Sequence, residues 1–133
     1  MSFSHTYSFR VRYADTDQMG TFYNARTLEW FEVGRSELSR AMGLPYSEWE
    51  AKGIFLPLVE AHVNYHNMAS YDHELKMRTS IERKGMARLF FSYEIENKTT
   101  EKRIVTGHTI HALINKEGKP VKPPKWITDV IGS

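Results

Sequence analysis

Cysteine is absent from all 133 residues, which excludes a disulfide framework, a thiolate zinc site and a cysteine nucleophile. A chain without thiols suits a reducing cytosol. The N-terminus Met1-Ser2-Phe3-Ser4-His5 has neither the basic start nor the apolar run of a secretory signal. No stretch approaches the length of an apolar membrane span. A soluble, cytoplasmic protein with no membrane partner is therefore expected. A strong excess of one charge is lacking too: the formal net charge is only +2, too small to point to a nucleic-acid partner. There is no Gly-x-Ser-x-Gly elbow for a serine hydrolase and no Gly-x-x-x-x-Gly-Lys phosphate loop.

What is present is the apolar material of an ordinary globular protein, with 41% hydrophobic residues and 26% charged ones. The length suits one domain, residues 1–133, with one substantial core. Phe9-Arg10-Val11-Arg12-Tyr13 alternates as a half-buried strand does, and a first strand is expected over residues 7–14. Leu28, Phe31, Leu38 and Met42 recur at helical spacing, so a helix of about five turns is expected from near Asn24 to Met42. Gly43 and Pro45 then stop it. A short helical turn around residues 46–52 precedes a change of texture. Residues 54–67, 74–83, 88–96 and 103–114 are rich in β-branched and aromatic side chains and read as four strands, with turn signals between them.

One long helix beside a mainly antiparallel five-stranded sheet is an α+β layer architecture. Ala25, Leu28, Phe31, Leu38 and Met42 form one apolar stripe, and Trp30, Val33, Gly34 and Ala41 make a second face apolar. A helix apolar over so much of its circumference is expected to be enclosed by a curved sheet. Gly34 in mid-helix costs about 1 kcal/mol relative to alanine, which points to close backbone packing. Glu32 and Arg35, three apart, are placed to pair and are read as structural.

The chemistry concentrates in Asp15-Thr16-Asp17-Gln18-Met19-Gly20-Thr21-Phe22-Tyr23-Asn24-Ala25-Arg26, between the first strand and the long helix. A helix N-terminus offers unpaired N–H groups and the positive end of the helix dipole, so it can stabilise an anion or a developing oxyanion beside a carboxylate. The plain alternative is that these are turn residues and that Thr21 or Asn24 caps the helix. A calcium loop is rejected, because its fifth position is Met19 and its twelfth is Arg26. Zinc is equally poorly served. On a strand His62 and His66 lie about 13 Å apart, and His108 and His111 face opposite sides of theirs.

Val11 to Gly20, then Tyr23-Asn24-Ala25-Arg26 and Leu28-Glu29-Trp30-Phe31-Glu32, resemble the opening of hotdog-fold acyl-CoA thioesterases of the 4-hydroxybenzoyl-CoA thioesterase type. The likeness continues through Leu56 to Ala61, Tyr65 to Asp72, Gly107-His108-Thr109 and Gly118 to Pro124, covering about residues 7 to 127. The resemblance implies a sheet wrapped round the helix and two subunits joined into one continuous sheet, with active sites shared across the interface. It also implies a homodimer that pairs again into a homotetramer. Asp17 matches the family's catalytic carboxylate, as nucleophile or general base. The oxyanion donor, a backbone N–H at the helix start, falls near Asn24 with Tyr23 beside it. Thr27 departs from an aromatic position of the family.

The implied activity is hydrolysis of an acyl-CoA or acyl-carrier thioester, which requires neither metal nor cofactor, since a thioester carbonyl is electrophilic enough for a carboxylate and an oxyanion site. Coenzyme A phosphates would meet basic side chains, with Arg83, Lys84 and Arg88 as first candidates and Lys116, Lys119, Lys122 and Lys125 as second. Each cluster also reads as a solvated face. Phe22, Thr27, Phe55 and Tyr65 are candidate walls of the acyl pocket. Two rivals remain: an acyl-CoA binding or sensing module without turnover, and a hotdog dehydratase. No histidine lies between Phe9 and Glu60, which sets the dehydratase last.

Overall fold

The computed structural model describes residues 2–132. Strand β1 (Ser2–Arg10) leads through a 3-10 turn (Tyr13–Asp15) to helix α1 (Arg26–Ala41) and a short α2 (Tyr46–Ala51). Strands β2 (Leu58–Tyr65), β3 (Glu74–Arg83), β4 (Arg88–Asn97) and β5 (Arg103–Ala112) follow, and α3 (Lys125–Ile131) closes the chain. The strands form one open sheet in the order β1-β3-β4-β5-β2, every neighbouring pair antiparallel. β4 alternates strictly between buried and accessible positions and β3 does so from Glu74 to Glu82, as a sheet covered on one face must.

The covered face meets α1. Leu75, Met77 and Ile81 of β3 and Leu89, Phe91, Tyr93 and Ile95 of β4 form the core with Trp30, Phe31 and Leu38 of the helix. Phe31 lies flat on Tyr93, ring centroids 3.9 Å apart. Full burial of a side chain of this size stabilises the fold by about 1.5–3 kcal/mol. At Gly34 helix and sheet approach closely: a β-carbon there would fall 2.6 Å from Thr79 Oγ1 and 2.9 Å from Met77 Cε. Its role as a packing residue is thus borne out.

Several expectations need correction. β1 begins at Ser2 and ends at Arg10, because pairing with β3 runs from Ser2↔Glu82 to Arg10↔Glu74. The chain then turns, as Asp15 folds back on Arg12. α1 is not enclosed all round. Leu28 and Val33 stay 44% and 43% exposed, and Ala25 and Ala41 are exposed as well. Arg35 donates to Tyr93 rather than pairing with Glu32. β2 and β5 are shorter than expected, since Phe55 and Ile114 meet in an isolated bridge beyond their ends. α3 was not expected at all. Pro124 stands at its N-cap, and Ile127 and Ile131, four apart and both fully buried, pin it against the core beside β1 and β3.

Candidate active site

Residues 15–23 form a small ladder that projects from the end of β1. Tyr23 N–H donates to Asp15 O at 2.7 Å, Thr16 bridges Phe22, and Asp17 N–H donates to Thr21 O at 3.0 Å. Gly20, at φ +82°, closes the tip by donating to Asp17 O, a backbone conformation that glycine adopts without steric cost. Phe22 N–H donates to Ala69 O at 2.9 Å, so the ladder is stapled to the connection between β2 and β3.

The two aspartates of this ladder differ completely. Asp15 is 1% exposed. Its Oδ2 accepts Arg12 N–H at 2.8 Å and Nε–H at 3.3 Å, while Oδ1 accepts Nη2–H at 2.9 Å. Every oxygen of Asp15 is thus engaged in holding the corner. Asp17 is exposed at the tip. Its Oδ1 accepts the Met19 N–H at 2.8 Å, and no ion pair joins it among the described residues.

The ladder delivers the chain to α1 without a capping side chain. Ala25 is the N-cap residue and no side chain bonds to the first turn, so neither Thr21 nor Asn24 caps the helix. The N–H groups of Asn24 and Ala25 have no acceptor among the described residues. The Asn24 carbonyl, by contrast, is held twice, by Thr27 Oγ1–H at 2.8 Å and Tyr65 Oη–H at 2.7 Å. Tyr23 is half exposed beside this helix end. A groove of about 270 Å³ opens there, lined by Phe22, Asn24, Tyr65 and Met68 among others. Phe22 and Tyr65 stack on one another in its wall, ring centroids 6.2 Å apart. Asp17 lies two ladder pairs from Tyr23, which stands three residues before the first residue of α1.

Other expected site residues lie elsewhere. Thr27 is fully buried and Phe55 sits beyond the far end of β2, so neither lines this groove. Arg83, Lys84 and Arg88 flank the β3–β4 turn. Arg83 is turned onto that turn, donating to Gly85 O at 2.8 Å, and Lys84 Nζ stands 5.5 Å over the Phe90 ring. Because β3 runs from Glu74 beside Arg10 to Arg83 at the turn, ten residues separate this cluster from the Asp17 end. That is about 30 Å along the strand, so one chain does not bring the two groups together.

A second polar cluster went unnoticed in the sequence. Arg35 Nη1–H donates to Tyr93 Oη at 3.0 Å, Tyr93 lies 2.6 Å from Thr109 Oγ1, and Thr109 lies 3.0 Å from His111 Nε2. His111 Nδ1 is 3.1 Å from the Leu56 carbonyl. A carbonyl only accepts, so Nδ1 carries the proton, Nε2 accepts from Thr109, and the donors run one way from Arg35 to Leu56. Burial, and then the Arg35 charge, hold the His111 pKa down at about 4. The imidazole is neutral at pH 7. Tyr93 and His111 fall at inward positions of alternating strands, and that alternation was the available signal.

The thioesterase-like superfamily profile matches residues 11–131, and the chain belongs to that family. Its fold is the hotdog fold, and its class is that of the thioester hydrolases. The chain is 36% identical to the "Putative acyl-CoA thioesterase YneP" of Bacillus subtilis over 120 residues, 90% of this chain and 86% of that protein. Among solved structures, a "Probable Thioesterase" from Bartonella henselae is 37% identical with a TM-score of 0.82, covering 91% of this chain and 99% of that one. A DHNA-CoA thioesterase from Staphylococcus aureus is 30% identical with a TM-score of 0.85, covering 96% and 85%.

Proposed function

We propose that this protein hydrolyses acyl-CoA thioesters to a free acid and coenzyme A, with residues 1–133 acting as one hotdog domain. Asp17 is the carboxylate that attacks the thioester carbonyl or activates water, and the N–H groups at Asn24 and Ala25, beside Tyr23, receive the developing oxyanion. The observation that carries this reading is an exposed carboxylate without an ion pair, held at the tip of a short ladder that leads into a helix end no side chain caps. Donors already aimed at the developing charge need no rearrangement during the reaction.

The protein works as a homodimer in this proposal. β2 is an edge strand exposed along almost its whole length, and Leu58, Val59 and Tyr65 are 46–53% exposed. An uncovered apolar edge is a template for pairing with another strand. Antiparallel pairing of two β2 strands about a two-fold axis reverses the sheet end for end while keeping both helices on one face. The Arg83, Lys84 and Arg88 cluster of the partner subunit then stands on the same side as Asp17 of the first, where it can meet coenzyme A phosphates. Further pairing into a homotetramer and a cytoplasmic location complete the proposal.

Free-thiol release from a panel of short, long and aromatic acyl-CoA thioesters tests it. Turnover is expected, and Asp17→Asn is expected to reduce it at least about a hundredfold while leaving the fold intact. A variant keeping most of the wild-type rate would remove Asp17 from the mechanism. Binding of acyl-CoA with no turnover by the wild type would favour a sensing module instead.

A further inference from the structure

A cavity of about 260 Å³ lies beside the middle of α1, between the helix and strands β4 and β5, with Arg35, His111, Tyr46, Phe91 and Leu56 among its walls. Its size suits an acyl tail of a few carbons. Phe91 and Leu56 supply apolar walls, and Tyr46 is fixed in place by accepting the Leu56 N–H at 3.0 Å. The donor chain from Arg35 to Leu56 accounts for each hydroxyl and imidazole group along it. Only one Arg35 N–H is used in that chain, out of the five that a guanidinium carries. No carboxylate pairs with Arg35 among the described residues. Glu32 also lines the cavity but is exposed to solvent, and Arg35, not Glu32, is the charge that acts on His111. With His111 neutral, Arg35 is the one cation lining the cavity among the described residues and has spare donors, a setting that favours a bidentate carboxylate.

We propose that this cavity receives the far end of the acyl group and that Arg35 selects acyl groups ending in a carboxylate. The inference rests on the thioesterase and dimer proposals, because Asn24 and Arg35 of one helix are separated by eleven residues, about 16 Å along the axis. Antiparallel pairing of β2 sets the Tyr65 end of one strand against the Leu58 end of the other. Leu56, two residues before Leu58, lines the cavity. The cavity of the partner subunit therefore opens beside the Asn24–Tyr65 groove of the first chain, on the same face of the sheet. A short ω-carboxyacyl group held by its carbonyl at one subunit's α1 would reach Arg35 of the partner subunit.

The test compares glutaryl-CoA with valeryl-CoA, which share a five-carbon chain and differ in the terminal carboxylate. The wild type is expected to favour glutaryl-CoA in kcat/KM by about 30-fold or more, the range of a hydrogen-bonded charged contact. Arg35→Gln, which keeps a donor for Tyr93, is expected to bring that ratio near unity, and Arg35→Lys to leave part of it. Using the ratio cancels any general loss from repacking. Equal use of both substrates by the wild type, or a ratio unchanged in Arg35→Gln, would overturn the assignment. Where neither thioester releases thiol, hydrolysis itself fails, and calorimetry with the same two compounds decides the subsite. Tighter binding of glutaryl-CoA that Arg35→Gln abolishes supports the assignment, and equal binding overturns it.

Discussion

Asp15 and Asp17 stand two residues apart in the same loop, yet one is buried with its oxygens all engaged and the other is exposed with a single local bond. The difference lies in where their hydrogen bonds go. Asp15 spends its acceptors on Arg12 and so makes the corner that aims the ladder. Asp17 makes one side-chain bond, to the Met19 N–H, and leaves most of its acceptor capacity unused among the described residues. A carboxylate whose lone pairs are all satisfied within the protein is positioned for structure. The proposed function assigns the chemical role to the exposed one, most of whose acceptor capacity is free.

Substitution should separate the two roles. Asp17→Asn is expected to have the largest effect, the hundredfold or greater loss of thioester hydrolysis, with an unchanged denaturation midpoint. Asp15→Ala should do the reverse. It leaves the Arg12 amide and guanidinium without their carboxylate, and a loss of about 2–3 kcal/mol is expected in urea denaturation. If both variants lost stability equally, the distinction would collapse. Gly34→Ala tests whether the interior behaves like the Asp15 corner. Its β-carbon would clash with Thr79 and Met77, and overpacking of this kind costs about 1–3 kcal/mol, read from the same denaturation experiment.

The smallest effect concerns pH. The folded pKa of His111, at about 4, lies below the unfolded value of about 6.5, so the unfolded chain takes up the proton first. The His111 contribution is therefore fully retained above pH 6.5 and is lost as the pH falls towards 4, by at most about 1.4 kcal/mol per pH unit. Denaturation midpoints at pH 7 and pH 5 should show this slope, and His111→Gln should flatten it. A slope unaffected by that substitution would place the acid sensitivity elsewhere.

Much of the fold was legible in the sequence because its signals are local. β3 matches its expected bounds, and α1 and β4 differ by at most about two residues at either end, since helical spacing and strict alternation are written in consecutive side chains. α3 was missed for an instructive reason. Lys116, Lys119, Lys122 and Lys125 drew attention as a solvated charge cluster, while the signal that mattered was Pro124 followed by Ile127 and Ile131. The loop that holds Asp17 was also legible, with its helix end. Its missing cap was not, because whether Thr21 or Asn24 turns towards the first turn depends on the ladder and on the Ala69 and Tyr65 contacts made by a distant segment.

The sequence by itself determined the α+β class, the order of the elements, the close packing at Gly34 and the absence of thiol chemistry, because each depends on residue identity and near-neighbour spacing. Only the tertiary structure decided which aspartate is buried, which helix end is left open, and which side chains link Arg35 to His111. Those choices join residues 2 to 58 positions apart, through strand register and the packing of α1 on the sheet. Such pairings have no local signature, since the free energy that selects them arises only when both partners leave water together.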